Sequence, residues 1–204
     1  GRLVAAQLAG RAGPFHVTLY LTKRCNLRCV YCSSPDRPTD ELSTEQWCAV
    51  LDELRAHGTE RVLFFGGEPL VRRDADVLVG KARELGLRTA MATNGTLVPS
   101  RPEVVRRLHT LVVSLDGSET SHDRNRGAGS YHDAMAAVEA ARAWRVPVKV
   151  NAVLNANSAG DLERLLEIGR TQRLPITLNL MRSEQNGLWK NAADHRLEDE
   201  RIRQ

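Results

Sequence analysis

The chain has 204 residues, 42% of them hydrophobic and 26% charged, which suits a single domain spanning residues 1–204 with its own core. No run approaches the ~18 consecutive apolar residues of a membrane span, and the start, GRLVAAQLAGRAGP, is too interrupted for a secretory signal. We therefore expect a soluble, cytoplasmic protein with no membrane partner. The net charge of +4 comes mainly from scattered arginines and only 4% of residues are aromatic, so the sequence gives no support for a nucleic-acid interface.

Six short apolar runs recur along the chain and predict β-strands. Several are almost continuously apolar, which is typical of parallel strands buried on both faces. The predicted strands are Val17–Leu21, Val62–Phe65, Arg88–Ala92, Leu111–Leu115, Val148–Val153 and Ile176–Leu180.

Helical segments separate these strands. Capping-box patterns that begin at Ser43 and Ser100 predict two helix starts, and a further helix is predicted from about Asp74 to Leu85. Ser130 and Ser158 open two more. Because strands and helices alternate, we predict an α/β fold with a parallel sheet and right-handed crossovers. Six strands are too few for an eight-stranded barrel, so the sheet is either a partial (β/α)6 TIM-like barrel or open. The charged tail, residues 183–204, lacks a clear apolar face.

Three of the four cysteines lie within eight residues, in the sequence CNLRCVYC that follows the first predicted strand. Their spacing is too tight and uneven for a disulfide framework. A zinc site would need a fourth ligand, and the candidates are His16, Cys48 and His57. A 4Fe–4S cluster can instead be held by three thiolates, with one iron left open for a ligand. The remaining cysteine, Cys48, is interpreted as a small buried residue of the first helix.

Polar and glycine-rich segments follow the other predicted strands. GGEP comes after the second strand, Asn94-Gly95 after the third and SLDG at the end of the fourth, while Asn151 lies within the fifth. Because the carboxyl ends of parallel strands meet at one edge of a sheet, these segments and the cysteine loop are expected to share one rim. Asn-Gly and Asp-Gly are also common turn dipeptides, so a turn without any functional role would explain two of these segments.

In this order, the motifs resemble those of the radical S-adenosylmethionine (radical SAM) superfamily. CNLRCVYC matches the C-x3-C-x2-C motif, with Tyr31 as the aromatic residue before the last cysteine, and GGEP matches the second motif. SLDG followed by HDRNRG resembles the subgroup that contains peptide-modifying, cofactor-maturing and molybdenum-cofactor-type members. The resemblance covers residues 15–182.

The resemblance implies that Cys25, Cys29 and Cys32 ligate three irons of a 4Fe–4S cluster whose open iron binds S-adenosylmethionine. The GGEP loop would meet the methionyl amino group, and Arg126 would hold the methionyl carboxylate, although a surface role for this arginine is the simpler alternative. Ser114, Asp116 and Asn151 are expected near the ribose or the carboxylate. The full set of expected cofactor-binding residues is Gly66, Gly67, Glu68, Asn94, Ser114, Asp116, Arg126 and Asn151.

The implied reaction is reductive cleavage of S-adenosylmethionine to a 5′-deoxyadenosyl radical, which abstracts a hydrogen atom from a peptide or small molecule in a biosynthetic or maturation pathway. The electron would come from a flavodoxin- or ferredoxin-like reductant. Only Cys48 is left for an auxiliary cluster, which weakens the peptide-modification hypothesis unless the chain is part of a longer protein. Two alternatives stay open, a zinc-stabilised binding module and an iron–sulfur electron carrier.

Overall fold

The computed structural model describes residues 13–34 and 40–181. They form one six-stranded sheet in which every neighbouring pair is parallel and the strand order follows the chain, from β1 to β6. The strands are β1 (His16–Thr22), β2 (Arg61–Gly66), β3 (Arg88–Thr93), β4 (Thr110–Ser114), β5 (Val148–Leu154) and β6 (Ile176–Leu180). All six predicted strands are therefore confirmed.

Six α-helices connect the strands: α1 (Thr44–Ala56), α2 (Ala75–Glu84), α3 (Pro102–Val105), α4 (Glu119–Arg126), α5 (Ser130–Ala143) and α6 (Leu162–Thr171). The capping box predicted for α1 is present, because Ser43 Oγ accepts from Gln46 N at 3.2 Å and Gln46 Oε1 accepts from Ser43 N at 2.8 Å. The box predicted at Ser100 is wrong. The Ser100 hydroxyl donates to Leu97 O in a 3₁₀ turn, and Arg101 is the residue that precedes α3.

Helix α4 was not predicted, because it lacks the apolar stripe by which sequence patterns identify helices. Its buried residues are polar: Ser121, His122, Asn125 and Arg126. The local signals were present, however. Ser118 stands at the N-cap, Glu119 opens the first turn, and Gly127 follows the last with φ +115°.

The two faces of the sheet differ in composition. With sequential strand order and right-handed crossovers, the helices all lie on one face, and the core is built there. Phe64, Met91 and Leu111 are each 0% exposed on that face. The other face mixes polar side chains such as Lys149 and Asn151 with the large side chains Leu63 and Phe65, and β1 and β6 stand at its two edges. This is the partial (β/α)6 barrel, with its inner face left for ligands.

The predicted tail, residues 183–204, lies outside the described residues. Among the residues that are described, no helix has the length and apolar character needed to cross a membrane.

Candidate functional site

The cysteine loop joins β1 to α1 at the carboxyl end of the sheet. Cys29 is buried, whereas Cys25 and Cys32 are half-buried. Two backbone amides already point at the sulfurs: Leu27 N donates to Cys25 Sγ and Ser34 N to Cys32 Sγ, both at 3.4 Å. Amide hydrogen bonds to cysteine sulfur are among the features by which proteins tune iron–sulfur clusters.

The alternative zinc ligands do not join this loop. His16 begins β1, at the opposite end of the strand, His57 caps the end of α1, and Cys48 packs against the core from α1. Within residues 13–34 and 40–181, no three His, Cys, Asp or Glu side chains lie close enough to hold a single metal ion. A tetrahedral zinc site needs such convergence, whereas the irons of a cubane cluster take one thiolate each.

Burial acts on the thiols. It raises the pKa of Cys25, and it raises the pKa of Cys29 to about 11, although the nearby Arg126 guanidinium opposes the change at Cys29. Because iron binds the thiolate, loading a metal on this loop must release protons.

The GGEP loop packs directly against the chain that leads into Cys25. Gly67 N donates to Thr22 O at 2.8 Å, and Glu68 N donates to Arg24 O at 2.9 Å. A Cβ added at Gly66 would lie 2.3 Å from Thr22 O, and one at Gly67 would lie 2.2 Å from Arg24 O. The glycines are therefore required by close backbone packing against the end of β1 and the start of the cysteine loop.

The Glu68 side chain is fully buried and turned towards β3. Its carboxylate accepts from Asn94 N at 2.7 Å, from Leu70 N at 3.0 Å and from Thr93 Oγ1 at 2.9 Å. Burial raises the pKa of Glu68 to about 7, although these neutral donors favour the charged form. The carboxylate thus ties the GGEP loop to the turn after β3.

That turn reaches back to the cysteine loop through Asn94. Its Nδ2 donates to Asn26 Oδ1 at 2.8 Å and lies 3.8 Å from Cys25 Sγ. Three of the expected site segments, which are the cysteines, GGEP and Asn94, therefore form one connected group.

A second group surrounds Asp116. Arg126 donates two hydrogen bonds to this carboxylate, from Nε to Oδ2 at 2.8 Å and from Nη2 to Oδ1 at 3.0 Å. Tyr31 OH donates to Oδ2 at 2.7 Å, and Val153 N donates to Oδ1 at 2.9 Å. Burial alone would raise the pKa of Asp116, but the Arg126 charge overrides it and holds the pKa below its ordinary value. The expected role of Arg126 as a carboxylate clamp stays a prediction, since its fork already binds a carboxylate of the protein itself.

Ser114 and Asn151 form a third group on the inner face. They are register partners in β4 and β5, and Asn151 Oδ1 accepts from Asn179 Nδ2 at 2.7 Å. Both are half-buried, and their role in binding a ligand stays a prediction.

The family model of the radical SAM superfamily matches residues 19–168. The chain belongs to the radical SAM superfamily. This is a family of enzymes that use a 4Fe–4S cluster and S-adenosylmethionine, so both cofactors and an enzymatic role follow for this domain.

Curated relatives agree on the family and differ in their reactions. The chain is 32% identical to an Fe-coproporphyrin III synthase of Methanosarcina barkeri over 164 residues, which are 76% of this chain and 41% of the relative. It is 38% identical to a PqqA peptide cyclase of Rhodopseudomonas palustris, over 76% of this chain and 43% of the relative. The chain thus spans less than half the length of these two relatives.

Solved structures of radical SAM proteins share the fold. Streptococcus suis SuiB bound to S-adenosylmethionine matches with a TM-score of 0.73 at 21% identity, covering 87% of this chain and 44% of SuiB. The anSMEcpe protein with bound AdoMet and a peptide matches with a TM-score of 0.74 at 17% identity, covering 91% and 56%.

Within this radical SAM domain, sequence reasoning missed several polar residues of the site. Tyr31 was identified only as the aromatic residue of a motif, and the bond from its hydroxyl to Asp116 spans 85 positions. Asn26 and Asn125 were not singled out. The one available signal was the run HDRNRG itself, whose polar residues recur at helical spacing and turn out to face inwards.

Proposed function

We propose that Cys25, Cys29 and Cys32 hold a 4Fe–4S cluster and that S-adenosylmethionine lies across the GGEP loop. The observation that carries this proposal is the direct bonding of the GGEP loop to the chain entering Cys25, which puts both motifs in one rigid unit. The donor set fits the cluster, because three uncrosslinked thiols share one loop and amides point at two of the sulfurs.

When bound, these cofactors supply the chemistry: one electron cleaves S-adenosylmethionine to methionine and a 5′-deoxyadenosyl radical, which takes a hydrogen atom from the substrate. The protein contributes position. The Gly66–Glu68 backbone offers carbonyl acceptors for the methionyl amino group. Ser114 and Asn151 offer a hydroxyl and an amide to the ribose or the carboxylate.

The proposed substrate is a peptide or a small molecule of a biosynthetic or maturation pathway, bound on the inner face of the sheet. A peptide is supported by the similarity to a PqqA peptide cyclase. The electron donor is proposed to be a flavodoxin- or ferredoxin-like protein, and the cellular location is proposed to be the cytoplasm.

The test begins with anaerobic reconstitution of the chain with iron and sulfide. We expect about four irons per chain, and loss of the cluster when Cys25, Cys29 or Cys32 is changed to Ala. Cys48→Ala is the matched control, because this cysteine packs against the core and should leave the cluster intact. A single zinc per chain with no cluster would support the binding-module alternative and refute the proposal.

The second step is chemical. With dithionite and S-adenosylmethionine, the reconstituted protein should slowly release 5′-deoxyadenosine and methionine, measured by chromatography against the triple cysteine-to-alanine variant. If a protein that holds its cluster neither binds S-adenosylmethionine nor releases deoxyadenosine, the electron-carrier alternative is favoured.

A further inference from the structure

Helix α4 turns an unusual face inwards. An amphipathic helix normally buries apolar side chains, yet every buried residue of α4 is polar or charged, and the last two are Asn125 and Arg126. Buried polar groups are retained at a cost unless they are paired, so the partners of these two residues indicate what the helix does.

The Asn125 side chain bonds to Asn155 and Asn157, just after β5, and Arg126 pairs with Asp116. Both residues also contact the cysteine loop, between the second and third cysteines. Val30 N donates to Asn125 O at 2.9 Å. The ring of Tyr31 lies under the Arg126 guanidinium, 5.7 Å from its centroid, while the Tyr31 hydroxyl bonds to Asp116. The two residues between Cys29 and Cys32 are thus both held from α4 and the end of β4.

Asp116 is itself fixed from several sides. Its amide donates to His122 Nδ1 at 3.1 Å, and its carboxylate accepts from Val153 N in β5 and from the Arg126 fork. The side chain is 0% exposed and that of Arg126 is 8% exposed. Water therefore screens the attraction between these two charges very little.

We propose that α4 is a clamp that positions Cys29 and Cys32 for the cluster through Val30 and Tyr31, and that the Asp116–Arg126 charge pair helps to set the reduction potential of that cluster. The part of this inference that concerns the cluster rests on the proposed function. It makes Arg126 a positioning residue, because Nε and Nη2, the atoms that would hold a methionyl carboxylate, already hold Asp116.

The first test uses the metal-free protein and does not depend on cluster formation. Mild variants, Tyr31→Phe and Arg126→Lys, loosen the clamp while keeping the ring or the charge. We expect Cys29 to be alkylated faster by iodoacetamide in both, as measured by peptide mass spectrometry, with thermal unfolding to confirm that the variants fold. Arg124→Gln is the matched control, an exposed arginine of the same helix, and should match the wild type. Unchanged Cys29 alkylation in both variants would overturn the clamp.

The second test uses the reconstituted protein. Loss of a partner outside the ligand shell typically costs 10–100-fold in metal affinity, so Tyr31→Phe should lose its cluster to a chelator on the order of tenfold faster than Arg124→Gln. Arg126→Lys should bind S-adenosylmethionine with wild-type affinity once its cluster is loaded. Weaker binding with normal cluster retention would assign Arg126 to the methionyl carboxylate instead and refute the positioning role.

The third test measures the reduction potential of the cluster. It distinguishes the effect of the charges of Asp116 and Arg126 from the effect of a loosened cysteine loop. Arg126→Gln leaves a buried anion and should lower the potential, whereas Asp116→Asn leaves a buried cation and should raise it. The double variant is neutral, so its potential should return towards that of the wild type while its sensitivity to chelator persists. Shifts in the same direction in both single variants would refute the charge contribution. A wild-type chain that forms no cluster would refute the proposed function and, with it, the contribution of the charge pair to a reduction potential, whereas the alkylation test still judges the clamp independently.

Discussion

Glu68 and Asp116 are two fully buried acids that contact different parts of the same cysteine loop, and their surroundings shift their pKa values in opposite directions. Glu68 has three neutral donors, and burial still raises its pKa to about 7. Asp116 has Arg126 beside it, and its pKa is held below the ordinary value despite equal burial. The difference arises because the ion pair with Arg126 offsets the burial penalty at Asp116, whereas the neutral donors around Glu68 do not offset it fully.

The two acids also hold different halves of the loop. On the Glu68 side, backbone bonds fix the chain that enters Cys25, and glycine makes that approach possible. On the Asp116 side, the Asp116 carboxylate and the Arg126 guanidinium hold the Tyr31 side chain, and the backbone carbonyl of Asn125 holds Val30 N. One half of the loop is therefore positioned by steric fit and the other by a charged network, and variants should separate the two.

The largest effect on stability is expected from Arg126→Gln, which leaves the buried Asp116 carboxylate without its cation. Removal of one partner of a buried pair typically costs about 3–5 kcal/mol. Urea unfolding of the metal-free protein measures the loss. Arg124→Gln, exposed on the same helix, should change the free energy of unfolding little, and equal losses in the two variants would show that the pair is not a stabilising unit.

Glu68 should give stability a pH dependence of the opposite sign to that of Asp116. Its folded pKa of about 7 lies above the ordinary 4.5, so its contribution is fully present below pH ~4.5 and is lost as the pH rises to about 7. The shift corresponds to roughly 3 kcal/mol. Glu68→Gln should remove this part of the slope in unfolding curves measured from pH 4.5 to 8. The exposed Glu53→Gln is the control, and a slope that is identical in wild type and Glu68→Gln would contradict the assignment.

Gly67→Ala tests steric fit on the other half of the loop. The new methyl group would meet Arg24 O at 2.2 Å, so the backbone before Cys25 must shift, at a typical cost of about 1–3 kcal/mol. We expect a lower melting temperature and faster alkylation of Cys25. At Gly160 an added Cβ meets nothing within 4 Å, so Gly160→Ala should show neither effect. Wild-type behaviour of Gly67→Ala would mean that the loop yields easily.

The smallest effect is expected from Asn26→Ala, because one of the two bonds lost is exposed and the other is only partly buried. Asn26 donates to Thr96 Oγ1 at 2.6 Å and accepts from Asn94 at 2.8 Å, and the net loss should be about 0.5–1.5 kcal/mol. Asn26→Asp keeps the acceptor and should recover part of the loss in the same urea titration. A loss as large as that of Arg126→Gln would remove the contrast between the two halves.

Most of the fold could be predicted from the sequence because strands such as Val62–Phe65 are continuous apolar runs, which predict buried strands. The position of the cysteine loop at the rim was also predictable, since a motif that follows a parallel strand must lie at the carboxyl edge of the sheet. The Asp116–Arg126 pair could not be predicted as a pair. Arg126 lies on a helix without an apolar stripe and Asp116 lies in the loop after β4, while their partners come from β5 and the cysteine loop. The requirement for glycine at position 67 could not be predicted either, because it comes from the short distance to the Arg24 backbone and not from a sequence pattern.

The bond from Val153 N to Asp116 has a consequence for how the protein opens. The same carboxylate accepts from Val153 in β5 and from Tyr31, next to Val30, whose own amide is held by α4. Val153 N bonds to Asp116 directly, and Val30 N bonds to the carbonyl of Asn125, whose neighbour Arg126 pairs with Asp116, so we expect strand and loop to open as one cooperative unit. The backbone amides of Val30 and Val153 should therefore exchange with deuterium at similar rates, through a shared opening that exposes the cysteine loop and the inner wall of the barrel together.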